Sequence, residues 1–378
     1  MIGAFGAVVM LVLGASILCW VVTFLRIAVG KRLLPQDAVP AALDVLKLVG
    51  TPPAPPLIDW RSRRHVTWGF IDLIAILILY LALAAVVGVA LRQWTGLKIG
   101  TEMEDLTLSQ RQSLTIANMA VSVLVLFIGL PLMALRPGTG LRSFGWSRAT
   151  LGRDVRLGLV GFVMLAPPVY AIQGLLVYFW QPSEHPLMEM FKGAPDATFF
   201  VTLIVAAVIV APLVEETLFR VFLQGFLEKL VSFRGAAQEV LVGRFSNTPQ
   251  PIPLESVEAL ATPPVAALPP ELNPYAPPSV LQPTAEIAVG AEIVSEDQPE
   301  LRGLRSWVPI GISSIIFALL HYSHGPDWVA LTLLAAGMGY LYQRTHSIVP
   351  SLTVHMCLNG LSMWGLWIQV YELKGAGM

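Results

Sequence analysis

The chain has 378 residues, 55% of them hydrophobic and only 13% charged, with a formal net charge of −1 and a mean hydropathy of +0.68. A soluble globular protein carries about 25% charged residues, so a soluble enzyme is excluded, and the near-neutral balance gives no ground for nucleic-acid binding. Several uninterrupted apolar runs exceed the ~18 residues that mark a membrane-crossing helix. The fold class expected is therefore all-α, a polytopic membrane bundle of about eight transmembrane helices with one disordered Pro-rich cytoplasmic loop.

In chain order, the spans are expected at about 4–25, 68–91, 114–134, 157–180, 198–230, 307–322, 328–343 and 348–370. The first lacks a basic residue ahead of its apolar run and carries its positive charges after it, so it reads as a retained helix, not a cleaved signal. Residues 35–60 read as a short cytoplasmic loop with one brief helix. Residues 136–156 are basic with interleaved Phe and Trp, the composition of a membrane interface. Cys19 and Cys357 both lie in apolar runs, so no disulfide framework is expected.

Residues 245–300 differ from everything around them. They hold no Lys or Arg, eight acidic residues and 12 of the 29 prolines. Such a sequence buries too little apolar surface to offset its ordering entropy, and a disordered linker is expected. Placement of Lys and Arg orients the bundle: with the N-terminus outside, 19 of the 24 lie in inside segments. A multi-pass protein of a bacterial plasma membrane is expected, with both termini outside.

The fifth span carries Glu215, Glu216 and Arg220. Each charge in a span costs roughly 2.5–3.5 kcal/mol on the insertion scale, so each needs a partner. Glu216 and Arg220 are four apart and share a helix face, whereas Glu215 is rotated by about 100° and must look elsewhere. The candidates are His321, at the end of span six, and His355 with Asn359, four apart in span eight. A carboxylate and two imidazoles (Glu215, His321, His355) could hold Zn²⁺ with a position left for water, or could activate water without a metal as general bases. His355 and Asn359 are suited to donate to an oxyanion. Taken singly, each residue has a plainer reading: a structural ion pair for Glu216 and Arg220, an interhelical hydrogen bond for Asn359. His185, His324 and His346 are read as interfacial and set aside. No HExxH, GxSG or GxGD pattern occurs. Bringing Glu215, His321 and His355 to one depth requires a long fifth helix with Glu215 near its middle, and a separation above roughly 10 Å would exclude direct contact.

Three motifs recur here in order. EETLFR (Glu215 to Arg220) resembles the EExxxR motif of the CPBP family, the CAAX-protease and bacteriocin-processing intramembrane proteases, and FALLH (Phe317 to His321) and HMCLN (His355 to Asn359) resemble its FxxxH and HxxxN motifs. The resemblance implies an endopeptidase with its site inside the bilayer, acting on a membrane-associated protein or peptide. On that likeness Glu215 and His321 activate the water. His355 and Asn359 hold the oxyanion, or His355 joins a zinc site. Glu216 and Arg220 support the site or touch substrate. Eukaryotic relatives cut the C-terminal tripeptide of prenylated CAAX proteins; bacterial ones generally have other peptide substrates. The chain then divides into added N-terminal helices and a basic loop (1–135), two parts of a CPBP-like core (136–232 and 304–378), and the insertion (233–303).

Two other classes fit the intramembrane charges. A proton-coupled transporter predicts an internal repeat, and none is visible. A non-catalytic scaffold or immunity-type protein predicts indifference to loss of Glu215.

Overall fold

The computed structural model describes residues 1–29, 57–63, 66–98, 100–101, 105–180, 196–232, 237–244, 299–322 and 326–373. Most of the 35–60 loop and nearly all of the Pro-rich insertion lie outside the described residues, so the disorder expected of the insertion does too. Among the described residues the chain is helical, with no strand.

Five helices are long and apolar enough to cross a membrane: α1 (Ile2–Ala28), α2 (Phe70–Thr95), α3 (Leu108–Ala134), α4 (Leu151–Trp180) and α5, a continuous run over Ala197–Ser232. Only 6% of the apolar window of α1 or α2 is buried, so their side chains face outward as a lipid-covered helix requires. A short α6 (Ala237–Val242) follows. The three remaining expected spans also form helices: α7 (Trp307–Leu319), α8 (Trp328–Thr345) and α9 (Ile348–Trp367, prolonged by a π-helical turn, Ile368–Leu373). They are shorter or less uniformly apolar than the first five. The 13 residues of α7 cover only about 20 Å at 1.5 Å per residue. The eight expected spans thus form five helices long and apolar enough to cross a membrane and three further helices packed among them.

Small residues set how closely these helices pack. A Cβ on Gly158 of α4 would lie 2.5 Å from the Thr353 Cβ of α9, and one on Gly337 of α8 would lie 2.5 Å from the Leu165 side chain of α4. Without a hydrophobic force between helices in lipid, such close backbone approach is what holds a bundle together.

The prolines inside the helices serve as docking points. Pro168 has no N–H for the carbonyl of Met164, four residues back. Trp20 of α1 donates its Nε1–H to that oxygen at 3.0 Å. Helix α1 is therefore fastened to α4 by a polar contact, in addition to apolar ones such as Phe5 edge-on to Trp364 of α9.

One end of the bundle gathers the cations. There Arg136 pairs with Asp72 at 2.6 Å, Arg61 with Asp154 at 2.7 Å, Arg244 with Glu239 at 3.1 Å and Arg344 with Glu300 at 2.8 Å. The start of α1 and the end of α9 meet at the opposite end.

The segment before α2 threads beneath this basic end. Its Arg61 backbone N–H bonds the Arg344 carbonyl, its Trp60 ring stands edge-on to His346, and its Trp68 donates to the Phe222 carbonyl at 3.1 Å. Trp20→Phe keeps an aromatic ring but removes the hydrogen bond to Met164. It is expected to weaken the seating of α1 by about 1 kcal/mol, read as a lower midpoint in denaturant unfolding of the detergent-solubilised protein.

Candidate active site

Helix α5 runs for 36 residues with Glu215 near its middle, as the depth requirement demanded. It is not a plain α-helix. Helical turns at Ala197–Ile204, Ala211–Glu216 and Gly225–Ser232 alternate with π-helical turns at Val205–Val210 and Thr217–Gln224. Such wider turns concentrate at functional sites. Here they have a geometric use. Polar residues stand at 216, 220, 224 and 228. A spacing of four overshoots the 3.6-residue α turn and undershoots the wider π turn, so the mixture keeps the stripe on one side of the helix.

The Glu216–Arg220 pair forms as the spacing predicts, with Arg220 Nε 3.2 Å from Glu216 Oε2 and both side chains fully buried. Glu216 also reaches a second partner. Its Oε1 accepts from His355 Nδ1 at 3.1 Å, while Glu215 Oε2 lies 3.7 Å from Nε2 of the same ring. The two adjacent carboxylates thus meet one imidazole at its two nitrogens. Glu215 keeps about a quarter of its side chain exposed, whereas Glu216 keeps none.

His321 follows the end of α7. Its Nδ1–H donates to the Phe317 carbonyl at 2.8 Å. A carbonyl can only accept, so the neutral ring carries its lone pair on Nε2. Glu215 interacts electrostatically with both His321 and His355. Phe317, the first residue of its motif, is buried between them: its ring centroid is 4.8 Å from that of His321 and 6.0 Å from that of His355. The Arg220 guanidinium sits 5.7 Å over the same ring, a cation–π contact that supplements the ion pair.

Asn359 is engaged differently from an oxyanion donor. Its Nδ2 donates to the Ala207 carbonyl at 2.8 Å. The π turn assigns that carbonyl to the amide five residues on, and position 212 is a proline with no N–H. Asn359 supplies the missing donor, which leaves at most one of its amide hydrogens for another acceptor.

No three His, Cys, Asp or Glu side chains converge as a metal-binding group among the described residues. No step below is routed through an ion.

Several polar residues escaped the sequence reading. Ser313 accepts from Arg220 Nη1 at 3.2 Å. Gln224 donates to Glu228 and to the Gly339 carbonyl at 3.1 and 2.8 Å. Glu228 is held by Arg63 at 2.8 Å and by His346 at 3.2 Å. His346, expected at the interface, is instead buried, with Nδ1 on the Arg61 carbonyl at 2.6 Å. A positive φ at His346 ends α8 and turns its ring inward. The four-residue stripe on α5 was a legible signal for Gln224 and Glu228; nothing local marked Ser313 or Arg63. His185 and His324 lie outside the described residues.

Removing one partner of a fully buried pair leaves an uncompensated charge and costs about 3–5 kcal/mol. Glu216→Gln is expected to lose stability on that scale, and the double variant with Arg220→Met to recover a large part of it. Chemical unfolding of the three proteins in one detergent measures both.

Comparison with known proteins places this geometry. Neither the curated proteins nor the solved structures provide a match to the chain. Residues 197–361, which contain all three motifs, match the model of the Rce1-like family, the type II CAAX prenyl endopeptidases, and over that stretch the likeness to the CPBP/CAAX protease family is borne out.

Proposed function

We propose that the protein is an intramembrane endopeptidase that cuts a membrane-associated protein or peptide with a water activated by Glu215. The observation that carries this reading is the bracketing of His355 by two adjacent carboxylates with different surroundings. Glu216 is sealed and tied to Arg220, and Glu215 is partly open. A sealed, charge-paired carboxylate can orient an imidazole but cannot easily take up a proton. An accessible one whose neighbour is an imidazole, not a guanidinium, can.

In this reading Glu215 accepts a proton from water as the water oxygen attacks the scissile carbonyl carbon. His321 helps to hold that water through its Nε2 lone pair. The carbonyl π electrons become an oxyanion, which His355 stabilises as an imidazolium, donating its Nε2–H to the oxyanion while its Nδ1–H stays on Glu216. Glu215 then returns the proton to the leaving nitrogen, the C–N bond breaks, and a carboxyl and an amine product form. Asn359 acts chiefly by holding the π turn of α5 in place. The family match favours a prenylated CAAX-type C-terminus as the first substrate to try. The basic end of the bundle would lie on the cytoplasmic side of the plasma membrane, as the inside excess of Lys and Arg requires.

Purified protein in detergent or vesicles, offered farnesylated CAAX peptides and unprenylated membrane peptides, tests the reading. Glu215→Gln and His321→Ala are each expected to lower kcat by roughly 10²–10⁴, and cleavage is expected to persist in a strong chelator. Full activity in Glu215→Gln would exclude the mechanism; loss with the chelator and recovery with Zn²⁺ would replace it with a metal-dependent one.

A further inference from the structure

The six-membered polar chain that starts at His355 does not stop at Arg220. From His355 Nδ1 it passes to Glu216 (3.1 Å), from Glu216 to Arg220 (3.2 Å), from Arg220 to Ser313 (3.2 Å), from Ser313 to Gln224 (3.4 Å, its one hydroxyl hydrogen shared with the Ile310 carbonyl at 3.2 Å) and from Gln224 to Glu228 (3.1 Å). Glu216, Arg220, Gln224, Ser313 and Glu228 are all fully buried. Within this column Arg220 balances Glu216. Glu228 is balanced from elsewhere, by Arg63, whose Nη2 stands 2.8 Å from Glu228 Oε2 while its Nη1 donates to the Tyr342 hydroxyl at 2.6 Å. The Arg63 guanidinium also lies 5.4 Å over the Tyr342 ring.

Arg63 belongs to the segment before α2, outside residues 197–361 that match the family. We propose that Arg63 is a positioning residue for the active site, holding Glu228 and through Gln224, Ser313 and Arg220 fixing the Glu216–His355 hydrogen bond from the far end of the column. The proposal rests on the peptidase reading for its kinetic consequence, but not for its structural one. The two ion pairs are coupled through Ser313 and Gln224, whose amide and hydroxyl orientations depend on the charges at either end. Without Arg63, the buried Glu228 carboxylate loses the cation 2.8 Å from it and keeps its contacts with His346 and Gln224. The Gln224 amide then has cause to turn, and the partners of Ser313 and Arg220 shift with it. A misplacement of this kind at His355 lowers turnover without altering substrate binding.

The test compares wild type with Arg63→Met, Arg63→Lys, Glu228→Gln, the double variant Arg63→Met/Glu228→Gln, and Arg136→Met as a control that breaks a salt bridge at the same end but outside the column. Two readouts are taken: kcat and KM on the cleaved peptide per folded protein, and the ring ¹⁵N signals of His355, assigned in protein labelled at its six histidines. Arg63→Met is expected to lower kcat by about tenfold at unchanged KM and to shift the His355 ring signals. The double variant, which removes both charges, is expected to restore both; Arg63→Lys to keep most of kcat; Arg136→Met to change neither. If Arg63→Met does not fold, Glu228→Gln removes the other charge of the same pair and is expected to show the same losses, again reversed in the double variant. Unmoved His355 signals in every folded single variant of the column, or losses that the double variant does not reverse, would overturn the positioning role. A wild type that cleaves nothing while the His355 signals behave as expected would sink the peptidase reading and leave the positioning role standing.

Discussion

A charge that cannot reach water must be neutralised within hydrogen-bond reach, and the centre of this bundle is organised around that requirement. Glu216 and Arg220 have no exposed surface. The attraction of a buried pair offsets its desolvation only when the geometry is good and the remaining lone pairs and protons find partners. Glu216 meets this by giving one oxygen to Arg220 and the other to His355; Arg220 does so with Ser313 and the face of Phe317. The adjacent Glu215 meets the His355 ring and no guanidinium, and that difference in surroundings separates two chemically identical side chains into a scaffold and a candidate base.

The same economy of polar groups explains the prolines. Within lipid every backbone carbonyl without its amide is a cost of several kcal/mol. Pro168 and Pro212 each free one, and in each case a side chain from another helix donates to it: Trp20 to Met164, and Asn359 to Ala207. The defects thus become specific helix-to-helix contacts. One seats the first helix; the other ties the final helix to the turn that precedes Glu215. A residue that looked suited to oxyanion stabilisation is thereby occupied, at least in part, in shaping the backbone beside the site.

The basic segment ahead of α2 takes on a different meaning in this light. By composition it was a loop whose arginines set orientation. In the folded chain Arg61 and Arg63 are counter-charges for Asp154 and Glu228, and Trp68 caps a carbonyl in a π turn of α5. Sequence outside the family match is therefore continuous, by hydrogen bonds, with the interior of the part that matches.

Local pattern by itself determined that the chain is helical and lipid-covered, that the fifth helix is long with Glu215 at mid-depth, and that Glu216 and Arg220 pair. These follow from hydropathy, from the rise per residue and from the i,i+4 rule, all of which act along one helix. Only the tertiary structure decided that Glu215 and Glu216 address the same imidazole, that His346 is buried while a peripheral place was expected, and that Arg63, about 165 positions from Glu228, balances it. Those are contacts between helices. They depend on where wider turns, prolines and glycines let one backbone approach another, and no periodicity along a single segment encodes that approach.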